Sequence, residues 1–78
     1  MSEILVLFEE HERNREWFEK NYDELVEIYD GRFIAIYKQA VIDSHEDVGR
    51  LVEKTEKKYP LDRVSIEYVS KEKLQLIL

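Results

Sequence analysis

A fifteen-residue stretch, Asp30 to Ser44 (DGRFIAIYKQAVIDS), limits the folds open to this chain more than any other feature. Helix-type patterns enter and leave it. Between Phe33 and Tyr37 every residue is apolar, β-branched or aromatic, and a strand apolar on both faces belongs inside a sheet rather than at its edge. Ala40, Val41 and Ile42 supply a shorter return strand. Lys38 and Gln39 stand at the turn, and neither is a favoured residue of a two-residue hairpin loop, so a three- or four-residue connection is equally compatible.

Upstream, Ile4, Leu7 or Phe8, His11, Phe18, Tyr22, Leu25 and Tyr29 follow a stripe of 3.6-residue period, interrupted at Asn14 and Arg15. A helix is therefore expected from the N-terminal apolar run to Tyr29, ended by Gly31, a residue that readily takes the left-handed conformation. Asn21 and Glu24 have capping-box spacing, which predicts a kink or restart there. Downstream, Ser44 reads as the cap of a second helix whose buried stripe is Val48, Leu51, Val52, Thr55 and Tyr59. Glu46 with Arg50 and Glu53 with Lys57 stand in favourable i, i+4 order. Gly49 inside that helix suggests close packing on the sheet, and Pro60 stops the helix.

Val64, Ile66 and Tyr68 alternate with more polar neighbours as a third strand. A hairpin, a helix and a returning strand, joined by the right-handed crossover, place strand 3 beside strand 1 and parallel to strand 2. The expected fold is α+β, in the order α-β-β-α-β, with a small three-stranded antiparallel sheet of order 2-1-3. Both helices are expected on one face, with an additional short C-terminal strand possible. Residues 1–78 form one small domain, near the size at which a single core leaves a thin stability margin. The sheet's other face then needs a cover, and surplus apolar residues at both ends of the chain are the candidates. Ile4, Leu5, Leu7, Phe8, Leu74, Leu76 and Leu78 make the expected interface, to a second copy or to another protein.

Charge is distributed unevenly. Residues 1–30 hold ten acids against three bases, a net of −7, within a chain of net −6. An acidic first third repels phosphate backbones, so nucleic acid is an unfavoured partner. A basic patch exists only at Lys54, Lys57 and Lys58, with Lys71 and Lys73, and the solvated-face reading of it is preferred. Arg32, Phe33, Tyr37 and Lys38 come nearest to a stacking platform for single strands, the most distant alternative. The excess of Glu and Lys over Asn and Gln is the bias of proteins from hot environments.

No cysteine is present, which excludes disulfides and thiolate sites. The longest apolar run, Ile4 to Phe8, is too short to span a bilayer and lacks the basic flank of a signal peptide, so a cytoplasmic protein off the membrane is expected. Asp43, Ser44 and His45 are the residue types of a hydrolytic triad, yet three consecutive residues cannot form its relay. Val41-Ile42-Asp43-Ser44 has the hydrophobic-hydrophobic-Asp-Ser form of an aspartic-protease segment, with His45 where the tight turn needs glycine. His11 and His45 lack the spacing of a metal site, and Glu9, Glu10, Glu12 and Glu16 lack a loop that converges oxygens. Gly31 and Gly49 cannot build a phosphate loop. No cofactor, no metal site and no enzymatic activity are expected.

One longer pattern has a counterpart elsewhere. Trp17-Phe18-x-x-Asn21-Tyr22-Asp23-Glu24-Leu25-Val26-Glu27-x-Tyr29-x-Gly31-Arg32-Phe33-Ile34-Ala35-Ile36, followed by Val41-Ile42, a polar cap and a Lys/Glu-rich helix, resembles a family of small archaeal proteins of unknown function. The resemblance spans about residues 15–69 and departs at Lys38-Gln39-Ala40, where such sequences commonly carry glycine. It implies a fold and an archaeal source, and no activity. A short sheet followed by a helix also resembles the partner-binding part of some small antitoxins. The leading expectation is a non-catalytic, self-associating interaction module, and the alternative an antitoxin-like or regulatory partner of a co-encoded protein.

Overall fold

The computed structural model describes residues 2–72; the expected C-terminal strand, and Leu74, Leu76 and Leu78, lie outside them. Helix α1 (Glu3–Lys20) starts at Ser2, whose hydroxyl accepts from the Ile4 N–H. It breaks at Asn21, where the expected restart occurs, and α2 (Tyr22–Tyr29) follows. The break is not a capping box. Asn21 makes no side-chain cap for α2 and instead donates through Nδ2 to the Trp17 carbonyl at 2.8 Å, closing α1.

Gly31, at φ +79°, turns the chain into β1 (Arg32–Ile36), which pairs antiparallel with β2 (Val41–His45). After β2 come α3 (Val48–Glu56), a 3-10 turn (Leu61–Arg63) and β3 (Ser65–Val69). The sheet order is β2-β1-β3 with β1 central, as its double apolar face requires. The fold is α+β as expected.

The helices do not share a face. Phe18, Tyr22, Leu25 and Val26 of α1 and α2 bury Ile34, Ile36 and Val69, whereas Leu51 of α3 buries Ala35 and Val64 together with Phe33, Tyr37, Ile42, Tyr59 and Ile66. Successive β1 side chains point to opposite faces, so its two apolar sets need two covers, and this chain supplies both. The expectation that the termini or a second subunit cover one sheet face is therefore overturned.

Three local expectations also change. Ser44 is not a helix cap. It lies in β2 opposite Ile34, and the cap of α3 is Asp47, whose Oδ1 accepts from the N–H groups of Gly49 and Arg50 at 2.8 and 3.3 Å. Gly49 accordingly sits in the exposed first turn, where an added Cβ would stand 3.2 Å from that carboxylate, and it does not pack on the sheet. Glu46, outside the helix, faces Arg32 at 3.8 Å rather than Arg50.

The hairpin loop has two residues, with Tyr37 and Ala40 exchanging backbone bonds at 2.9 and 3.2 Å. Both Lys38 (φ 51°) and Gln39 (φ 57°) are left-handed, the backbone signature of a primed turn that normally recruits Asn or Gly. Ile42 stands opposite no β1 residue, because the register shifts between Ala35 and Ile36, and this bulge turns it toward α3.

Candidate functional site

Asn14, which interrupts the apolar stripe in sequence, is the buried centre of the α1–sheet contact at 1% exposure. Its Oδ1 accepts from the Gln39 backbone N–H at 3.0 Å and from Gln39 Nε2 at 3.1 Å, while Nδ2 donates to Ser65 Oγ at 3.1 Å and to the Ile36 carbonyl at 3.4 Å. One amide thus holds the strained loop, the end of β1 and the start of β3. Placing a polar residue here is costly unless all its groups find partners, and they do.

One helical turn earlier, His11 fastens the same helix to Ser65 and to the 3-10 turn before β3. Its Nε2 lies 2.8 Å from the Asp62 carbonyl, which only accepts, so Nε2 carries the proton. In the neutral ring Nδ1 then accepts from the Ser65 hydroxyl at 2.7 Å, consistent with Ser65 Oγ receiving the Asn14 amide. Arg63 adds an ion pair to Glu10 at 2.9 Å. These contacts fix the middle of α1, and Phe18 fixes its end.

The first two turns run on beyond those anchors. Ile4, Leu5 and Phe8 are 76%, 54% and 60% exposed, and Leu7 is half-buried. Beside Phe8, the flank of α1 and the strand β3 enclose an open groove of about 450 Å³ lined by Phe8, His11, Glu12, Arg15 and residues 64–67. Phe8 supplies an apolar side chain to it, and Glu12 and Glu67 supply negative charge. Arg15 faces Glu19 at 3.3 Å, an exposed pair of small energetic weight. Exposed apolar surface joined to a groove is the mark of a contact site.

Other sequence-derived candidates separate in space. Asp43, Ser44 and His45 alternate along β2, so Ser44 points away from its two neighbours; Asp43 instead pairs with Lys54 at 3.4 Å, and the His45 Nδ1 accepts from the Asp47 N–H. Arg32 is on the opposite sheet face from Phe33 and Tyr37 and donates to Ser44 Oγ at 3.2 Å. Phe33 packs tilted against Tyr68 and Tyr37 against Tyr59, with ring centroids 4.8 and 5.2 Å apart. Lys54, Lys57 and Lys58 do meet around a recess beside β2, shared with Asp43 and Tyr59. No group of three or more potential metal ligands is found among the described residues, and no described helix is long and apolar enough to cross a membrane. The Asn14–His11–Ser65 network was not legible in sequence, since Asn14 breaks a periodic pattern and its partners are distant along the chain.

A family model described as a family of unknown function (DUF5678) matches residues 24–72, from α2 through β3. The searches of curated proteins and of solved structures find no match. Because that span covers more than half of its residues, the chain belongs to the DUF5678 family.

Proposed function

We propose that this chain is a non-catalytic protein–protein interaction module that presents the first two turns of α1 and the adjoining groove to another protein chain. The observation that carries this reading is the exposure of Ile4, Leu5 and Phe8 together on a helix whose middle is fixed by Asn14 and His11. Both sheet faces are covered from within the chain, so these side chains are free of any duty in the core. A helix anchored at its middle, whose first turns project with neighbouring apolar residues, suits recognition of the helix-in-groove kind. Assembly with a second copy and docking on a co-encoded protein are two forms of the same function.

The test compares the parent protein with the Ile4→Ser/Phe8→Ser double variant, by sedimentation and by affinity capture from the native lysate. The expected result is at least one association, with itself or with another protein, that the double variant loses. A monomeric parent that retains the same proteins as the variant refutes the reading.

A further inference from the structure

We infer that the occupant of this surface is a basic protein presenting an aliphatic or aromatic anchor flanked by lysine or arginine, and not a second copy of this chain. The inference rests on the interaction reading above and names its partner. The groove beside Phe8, about 450 Å³ between α1 and β3, has room for a large apolar side chain, the kind of anchor that dominates interface energetics. Two carboxylates, Glu12 and Glu67, line the groove against one base, Arg15, which already faces Glu19. Glu3, Glu9, Glu12, Glu16 and Glu19 are exposed on α1, and Glu67 joins Glu12 along the groove. Helix α2 also carries exposed Asp23, Glu24 and Glu27, and its Ile28 is 67% exposed.

A second copy meets this surface badly. An isologous contact sets α1 against its own equivalent and brings the same carboxylates to both sides of one rim. Against five exposed acids, α1 offers Arg13, Arg15 and Lys20, of which Arg15 already faces Glu19. Like charges brought together at an interface oppose association, and a net charge of −6 per chain adds long-range repulsion. A basic partner reverses both effects: encounter is steered, and the rim acids find counter-charges while the anchor fills the groove.

The experiment uses the full chain and a labelled amphipathic peptide of leucines and lysines as probe, followed by fluorescence anisotropy between about 50 and 300 mM salt. Two analogues serve as comparisons, one with glutamate for lysine and one with serine for leucine. The expected result is binding of the leucine/lysine peptide, weakened at least about tenfold in each analogue and in the Phe8→Ser protein. The Glu9→Gln/Glu12→Gln variant binds more weakly and with a shallower salt dependence, and the parent sediments as a monomer.

Ile4→Ser gives an independent apolar truncation. Equal binding by the parent and by both apolar variants overturns the inference, because attraction is then charge alone. Absence of peptide binding overturns it as well. A dimer that Phe8→Ser dissociates overturns the basic partner while leaving the interaction reading standing, which separates the two failures.

Discussion

Replacing Asn14 with alanine is the most demanding test of how this domain is held together. The side chain is 1% exposed, and the substitution removes four hydrogen bonds at once. Their weights differ. The Gln39 groups lie at an exposed loop, where water replaces much of what is lost, so their share is about 1 kcal/mol. Ser65 Oγ and the Ile36 carbonyl face the packed side of the sheet, and losing their donor costs about 1–2 kcal/mol, with a small cavity adding to it.

The total, about 2–4 kcal/mol, is a large part of the ~4–12 kcal/mol typical of a chain this long. At ~4–8 °C per kcal/mol, Tm falls by about 8–32 °C. Urea denaturation followed by circular dichroism gives the difference directly, with an unchanged m-value showing that the folded state is otherwise intact.

Gln39→Gly supplies the cross-check. In the parent it relieves a left-handed residue but deletes the Nε2 bond to Asn14, whereas in the Asn14→Ala background only the relief remains. The glycine should therefore be more favourable in the second background, by about 0.5–1 kcal/mol. A loss below about 1 kcal/mol for Asn14→Ala, or equal effects of Gln39→Gly in the two backgrounds, refutes the role assigned to this amide.

Further expectations are simpler to measure. Lys38→Asn puts a residue tolerant of positive φ at φ 51°, giving up a cation–π contact of 5.3 Å to Tyr37, and should raise the urea midpoint by the equivalent of about 0.5 kcal/mol. Asp47→Ala should lower stability by about 1 kcal/mol through loss of the α3 cap, with Ser44→Ala distinctly milder; the reverse order would restore Ser44 as the cap. Ser65→Ala removes the oxygen between Asn14 and His11, with an expected loss of about 1–2 kcal/mol in chemical denaturation. Phe8→Ser should leave the urea midpoint within about 0.5 kcal/mol of the parent, since Phe8 is 60% exposed.

How far residues alone lead can be judged from β1 and Asn14. The central place of β1 followed from its uninterrupted apolar run, and the strand order from connection rules, because both depend on neighbours in sequence. Asn21 as a break was legible for the same reason. The faces taken by the helices were not, since alternation along β1 says that two covers are needed without saying where they come from. Ser44 and Asp47 are equally good cap residues, and only the pairing of Ser44 with Ile34 decides between them.

Asn14 was the hardest. Its partners lie 25 and 51 positions away, so in sequence it reads as a flaw in a stripe. Likewise Lys38-Gln39 contradicts turn preference because the helix above it holds the strained loop. Of the candidate contact site, the apolar run Ile4 to Phe8 was visible, while the groove beside it exists only once α1 lies along β3.

The two left-handed residues at the hairpin tip bear on the order in which the chain assembles. An isolated β1–β2 hairpin, closed by Lys38 and Gln39, has a turn that disfavours itself and gains its compensating bond only when Asn14 arrives. Hairpin closure is thereby tied to docking of a helix from the opposite end of the sheet's sequence, and β3 joins through the same amide. Local nucleation by this hairpin is disfavoured, and long-range contacts are expected in the folding transition state. Amide protons of β1 and of the middle of α1 should then exchange together, in one global opening, while those of the projecting first turns exchange far sooner.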